Sequence, residues 1–187
     1  MDTTLRDGEQ TSGMSFSASE KLTISKLLIE ELKIDRIEVA SARVSVGEFN
    51  AVQNITNWAK SNGYLNKIEI LTFLDNGISL EWLLKTGAKV QNLLTKGSLN
   101  HLTHQIKKTP KEHFDEINES ILLAKNERIS TNVYLEDWSN GMRNSKEYVF
   151  DCLDFLTEQS VDRILLPDTL GILSPSETFN YISEIIK

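Results

Sequence analysis

Ile68-Glu69-Ile70-Leu71-Thr72-Phe73-Leu74 is followed by Asp75-Asn76-Gly77. Ser79 comes next, with Leu80, Leu83 and Leu84 behind it, then Thr86-Gly87, and then Lys89-Val90-Gln91-Asn92-Leu93-Leu94-Thr95. The stretch passes from a compact apolar run through a breaker into a short helical pattern, and back into an apolar run. Short apolar runs bounded by turn residues read as strands, and the leucine spacing between them reads as a helix. Ser79 is placed to cap that helix and Gly87 to close it. Strand, helix, strand is the unit from which parallel sheets are built.

The same unit repeats outward in both directions. Upstream, Arg36-Ile37-Glu38-Val39-Ala40 is a strand and 41–47 its loop, and Phe49, Val52, Ile55 and Trp58 mark a helix stopped by Asn62-Gly63. Before that, Ser17-Ala18-Ser19-Glu20 has capping-box spacing. Leu22, Ile24, Leu27, Leu28 and Leu32 then predict an apolar helix face running to about residue 31. Residues 1–5 read as the tail of a strand and 11–16 as a polar loop. Downstream, 99–106 reads as a short helix, and Thr109-Pro110 restarts a longer one, to about 126, with proline at its first position. A strand at 131–136, a loop at 137–144 and a helix from Ser145 carrying Val149, Cys152, Leu153 and Leu156 follow. A strand at 163–167, a loop at 168–171 and a helix at 175–187 complete the chain.

Six consecutive strand-helix units predict an α/β fold with a parallel sheet and helices outside it. An open doubly wound sheet and a (β/α)8 barrel both satisfy that pattern. No glycine-rich dinucleotide fingerprint follows the first strand, which favours the barrel. Arg6, Asp7, Glu136, Asp168 and Thr169 all fall after strand C-terminal ends, the face on which barrel active sites are built. A complete barrel takes about 250 residues, and this chain has 187. The expectation is a (β/α)8 TIM barrel truncated to about its first six units. Residues 1–187 would be the N-terminal part of a single catalytic domain, without strands seven and eight or any regulatory domain. Such a chain would be a fragment or be stabilised by association.

Composition narrows the function. A formal net charge of −7 and the lack of a basic patch argue against nucleic acid, whose phosphates need a basic surface. No apolar run reaches the roughly 20 residues of a membrane span. With a motif at the very start of the sequence, no signal peptide is expected. The single cysteine, Cys152, excludes an internal disulfide and fits a reducing cytosol, so a cytoplasmic protein is expected. Its apolar surroundings predict a buried, inert thiol. His101 and His104 share a helical turn and read as a solvated face, and none of the three histidines forms a His-x-His pair.

Two segments carry chemistry. In Asp2-Thr3-Thr4-Leu5-Arg6-Asp7-Gly8-Glu9-Gln10, an arginine offers a fork of donors to an oxyanion, the adjacent carboxylate suits a hard divalent cation, and Gly8 allows a sharp turn. In Tyr134-Leu135-Glu136-Asp137-Trp138-Ser139-Asn140-Gly141, the period of two puts Tyr134 and Glu136 on one side of a strand. An inward carboxylate is costly unless paired or used. Leu71 and Leu94 lie near strand ends and read as core.

The Asp2 to Gln10 string resembles the signature of the DRE-TIM metallolyases, in the 2-isopropylmalate and citramalate synthase group. Ile37-Glu38-Val39-Ala40-Ser41, Asn92-Leu93-Leu94-Thr95-Lys96-Gly97-Ser98, the Tyr134 to Gly141 segment and Leu166-Pro167-Asp168-Thr169-Leu170-Gly171 continue the resemblance in family order. It implies condensation of acetyl-CoA, as co-substrate, with a 2-oxo acid, assisted by a divalent metal (Mg, Mn or Zn), with release of coenzyme A. Carried over, Asp7 resembles the first metal ligand, Arg6 the arginine on the ketone oxygen, Glu136 the catalytic carboxylate and Thr169 the hydroxyl on the substrate carboxylate. Leu71, Leu94 and Tyr134 match positions around the 2-oxo acid side chain, a small apolar pocket that favours pyruvate, and hence citramalate, over 2-oxoisovalerate. The family's His-x-His ligands are absent, so the chain alone is expected to be inactive. The resemblance also implies a homodimer in full-length form. A 2-isopropylmalate synthase, a hydroxymethylglutaryl-CoA lyase-like enzyme and a non-catalytic barrel fragment are the competing readings.

Overall fold

The computed structural model describes residues 1–186. Its strands are β1 (Ile37–Ser41), β2 (Ile68–Phe73), β3 (Val90–Lys96), β4 (Ser130–Glu136) and β5 (Arg163–Leu165), lying in that order in one parallel sheet. The helices are α1 (Ala18–Lys26), α2 (Val46–Asn62), α3 (Ile78–Thr86), α4 (Pro110–Asn126), α5 (Trp138–Asn144), α6 (Lys146–Thr157) and α7 (Pro175–Ile185). Sequential parallel strands with helices between them are the predicted α/β arrangement. None of these helices is long and apolar enough to cross a membrane. The chain divides into two compact units, residues 1–92 with 126–130, and residues 93–125 with 131–187.

In the first unit, the strand predicted at 1–5 is reduced to one parallel bridge, Asp2 to Ile37. Local hydrogen bonds win there. The Asp2 carboxylate accepts from the Thr4 backbone N–H at 3.0 Å, and the amides of Arg6, Asp7 and Gly8 all turn back to the Thr3 carbonyl. The capping box forms as predicted, with Ser17 and Glu20 each accepting the other's backbone N–H, and a π-helical turn (Leu27–Glu31) extends α1. The buried face of α1 is the predicted one only in part: Leu28 is buried and Leu22 and Ile24 are half-buried, but Leu27 and Leu32 are exposed, while Lys21 and Ser25 are buried. Ser45 caps α2, so the helix begins inside the predicted loop. Gly77, not Ser79, is the N-cap of α3, and Asp75 just before it takes the Ser79 backbone N–H at 3.0 Å and its hydroxyl at 2.7 Å. The core holds Ile37, Val39, Val52, Ile55, Ile68 and Ile70. β1 and β2 pair Glu38 with Glu69 and then Ala40 with Ile70, so Val39 is a bulged residue.

In the second unit, Leu93, Ile117, Ile121, Val133, Leu135 and Val149 form the core. The short helix predicted at 99–106 is a π-helical turn (His101–Gln105). The predicted loop at 137–144 is instead α5, because Trp138 and Met142, one helical turn apart, are both buried. Close backbone approach sets the ends of β3 and β4. The Gly97 N–H donates to the Glu136 carbonyl at 2.6 Å. A Cβ on Gly97 would lie 2.7 Å from the Leu135 carbonyl oxygen, and one on Gly141 would lie 2.1 Å from the Gly97 carbonyl oxygen. The predicted strand at 163–167 stops at Leu165, and Lys187 lies outside the described residues.

Candidate active site

The first unit gathers Arg6 and Asp7 with four residues the sequence reading did not assign a role. Arg6 Nη1 donates to Asp7 Oδ1 at 2.7 Å, and Arg6 Nε donates to Glu38 Oε2. The Asn92 amide donates to Glu38 Oε1 at 2.6 Å and to Glu69 Oε2 at 3.0 Å, and Arg36 Nη1 pairs with Glu69 Oε1 at 3.0 Å. A polar line, Arg6–Glu38–Asn92–Glu69–Arg36, thus crosses β1, β2 and β3 under the loop. Burial pushes the Glu38 carboxyl above the usual glutamate range, and Arg6 and Asn92 act against that push. The line has a physical use. It keeps a guanidinium beside the loop with its charge balanced from below, so the arginine is oriented before any ligand arrives. The signal was present in the sequence, since Glu38 and Glu69 each interrupt a short apolar strand. Leu71 is buried in β2, and its carbonyl accepts the Ala42 N–H at 2.8 Å.

Asp7 is the residue that resembles a metal ligand. Its side chain is 59% exposed and lies in the Arg6 ion pair. Among the described residues, no group of three His, Cys, Asp or Glu side chains could hold a metal ion. A hard divalent cation takes several oxygen ligands, so the residues present do not fit a resident metal.

The second unit carries the other predicted residues. Glu136, at the end of β4, pairs its carboxylate with Lys96 Nζ at the end of β3, with both side chains about four-fifths buried (25% and 16% exposed, respectively). Lys96 is itself held in place. His113 Nε2 accepts the Lys96 backbone N–H at 3.3 Å, which makes Nδ1 the protonated nitrogen. His113 Nδ1–H then donates to the Tyr148 oxygen at 2.8 Å, and the Tyr148 hydroxyl donates to the Lys96 carbonyl at 3.1 Å. Burial pushes His113 down to about 4, helped by the positive charges of Lys108 and Lys96. The same burial raises the Tyr148 hydroxyl and pushes the Cys152 thiol up to about 12. Cys152 is buried, as its apolar surroundings predicted.

Tyr134 is buried in β4 and its carbonyl accepts the Thr95 hydroxyl at 2.6 Å; Leu94 is half-buried in β3. The Thr169 hydroxyl accepts the Asp137 N–H at 3.0 Å. Asp137 has φ 65°, a left-handed conformation unusual for aspartate. Its buried carboxylate takes hydrogen bonds from Ser98 Oγ at 2.6 Å and Asn140 Nδ2 at 2.8 Å, and lies 3.3 Å from His101 Nε2. His101 therefore differs from the predicted solvated face, because Asp137 draws the imidazole inward. Asp168 accepts the Leu173 N–H and the Ser139 hydroxyl, and these bonds, the backbone one foremost, hold its carboxyl below the usual range.

The parallel sheet with helices between its strands is the α/β class of fold, and the comparisons give the family. The HMGL-like family model matches residues 1–187, so the chain belongs to the HMGL-like family. It is 30% identical over 188 residues to a protein named 2-isopropylmalate synthase from Sulfolobus acidocaldarius, covering 100% of this chain and 46% of that one. It is 28% identical over 186 residues to the protein of the same name from Sulfurisphaera tokodaii, covering 99% and 46%. The chain thus spans about half the length of the curated relatives it matches. Among solved structures, hydroxymethylglutaryl-CoA lyase from Pseudomonas aeruginosa superimposes with a TM-score of 0.68 at 17% identity, covering 99% of this chain and 62% of that one. The HMG-CoA lyase of Bacillus subtilis gives 0.71 at 19% identity with the same coverage. These two share the fold.

Proposed function

We propose that the chain is the N-terminal part of the catalytic barrel of an acyltransferase that condenses acetyl-CoA with a 2-oxo acid and releases coenzyme A. The observation that carries this reading is Arg6. Its guanidinium is anchored through Nε on Glu38 and through Nη1 on Asp7, on the loop whose sequence resembles the family signature. Its role is to draw negative charge onto the ketone oxygen of the 2-oxo acid as the new carbon–carbon bond forms. Glu136 is the group for the proton removed from the acetyl methyl, and its Lys96 partner keeps the carboxylate in one orientation. Thr169 offers its hydroxyl to the substrate carboxylate. The family resemblance implies a divalent metal with Asp7 as one ligand. The others would come from outside this chain, so the chain alone is expected to release no coenzyme A. A homodimer and a cytoplasmic location belong to the same proposal.

For the acceptor, the resemblance at Leu71, Leu94 and Tyr134 implies preference for the small apolar methyl group of pyruvate, making the product citramalate. The names of the relatives favour 2-oxoisovalerate as a second reading. An apolar pocket separates ligands differing by a methylene by about 10 to 200-fold. The test is a pair of titrations, pyruvate and 2-oxoisovalerate, followed at the Arg6 Nε–Hε resonance. Tighter binding of pyruvate supports the citramalate reading. Tighter binding of 2-oxoisovalerate supports the second, and no perturbation of Arg6 by either refutes both.

A further inference from the structure

Lysine is among the residue types least often fully buried, yet Lys21 in α1 is 0% exposed. Its ammonium has three hydrogens and meets three acceptors. These are the Leu5 carbonyl at 3.1 Å, Glu9 Oε2 at 2.6 Å and the Glu48 carboxylate, met through Oε1 at 2.7 Å and Oε2 at 2.8 Å. The other oxygen of Glu9 accepts the Phe16 backbone N–H at 2.8 Å. The acceptors are placed to matter. Leu5 is the residue before Arg6, and Glu9 lies two residues after Asp7. The ammonium therefore grips the chain on both sides of the Arg6–Asp7 pair. Beyond the Asp2 bridge, the backbone–backbone hydrogen bonds of this loop among the described residues are those of turns and one short 3-10 turn (Gly8–Gln10). Lys21 is the tie that joins this loop to α1 and, through Glu48, to α2.

The grip also sets local charge. A cavity of about 310 Å³ is lined by Arg6, Glu9, Gln10, Ser41, Ser45 and Glu48, among others. Both carboxylates on its wall are the ones bound to Lys21. Without that ammonium they would oppose the entry of any anion toward Arg6.

We propose that Lys21 is a positioning residue for the Arg6–Asp7 loop. It fixes the guanidinium of Arg6 through Leu5 and Glu9, and it neutralises the cavity wall for an anionic 2-oxo acid. The second half rests on the reading of Arg6 as an oxyanion-binding group.

The test uses the 187-residue chain with Lys21→Met, which keeps side-chain length and removes the charge, and with Glu9→Gln and Glu48→Gln. Three quantities are read: amide hydrogen exchange over residues 6–16, the Arg6 Nε–Hε resonance, and pyruvate binding. Lys21→Met is expected to speed exchange over 6–16 at least 10-fold, with β1 and β2 amides unchanged. The Arg6 resonance should shift or broaden, and pyruvate should bind at least 10-fold more weakly. A purely structural lysine would instead speed exchange throughout the first unit and leave a folded Arg6 signal in place. A folded Lys21→Met chain with the wild-type Arg6 resonance and wild-type loop exchange overturns the proposal. Should Lys21→Met fail to fold, Glu9→Gln decides. It must reproduce the loop changes while Glu48→Gln, which leaves both loop contacts intact, keeps the Arg6 resonance; wild-type behaviour in Glu9→Gln overturns the proposal. If wild-type chain does not bind pyruvate at all, the substrate reading falls, while the two loop measurements still judge Lys21.

Discussion

His113 makes the stability of the second unit depend on pH in a direction that can be worked out. The buried imidazole must be neutral, since its Nε2 accepts the Lys96 N–H, and its folded-state value is about 4 against an ordinary 6.5. The unfolded chain therefore binds the extra proton first. Stability from this group is complete above pH 6.5 and is lost as pH falls from there toward 4. The whole gap corresponds to about 3 kcal/mol. Between pH 7 and pH 5, where the unfolded histidine protonates and the folded one does not, the loss is about 2 kcal/mol. The assay is urea unfolding of wild type and His113→Gln at steps from pH 7 to 5. Glutamine can still accept the Lys96 N–H through its carbonyl oxygen. His101, His104 and Glu38, whose raised carboxyl acts with the opposite sign, are present in both proteins and cancel in the difference. The two curves should approach one another by about 2 kcal/mol on going to pH 5. Parallel curves, or an imidazole that titrates near 6.5 in the folded chain, would refute the reasoning.

Other expectations follow from distances already given. Gly141→Ala puts a Cβ 2.1 Å from the Gly97 carbonyl oxygen, so the backbone must move; a loss of about 1–3 kcal/mol is expected in urea unfolding. A double-mutant cycle of Lys96→Met and Glu136→Gln should give a coupling of about 1 kcal/mol for their ion pair, smaller at high salt. Cys152, with its thiol pushed up to about 12, is about one part in 10,000 thiolate at pH 8; it should react with thiol reagents only once the chain unfolds, and fast modification of native protein would contradict its burial.

Periodicity and breakers carried most of the fold. β2, α3 and β3 fall where the apolar runs, Asp75-Asn76-Gly77 and Gly87 place them, with the cap of α3 moved from Ser79 to Gly77. α5 was hidden because Asp137, Ser139, Asn140 and Gly141 have loop composition; burial of Trp138 and Met142, a tertiary effect, overrides it. The first strand failed for the reverse reason, a local Asp2–Thr4 turn defeating an extended reading. In the site, residue types chosen for their chemistry were legible, but their supports were not. Lys21, Asn92, Lys96 and His113 matter through partners 12 to 54 residues away along the chain, and no local pattern distinguishes a gripped lysine from a solvated one.

Asn92 illustrates what such a support exposes. Glu38 and Glu69 stand opposite each other on paired strands, an arrangement that repels, and the amide of Asn92 gives a hydrogen bond to each. Asparagine slowly loses its amide by hydrolysis as proteins age. Here that single event would swap the shared donor for a third carboxylate and leave Arg6 resting on a cluster of like charges. Burial of Asn92 in β3 shields that perishable bond from water.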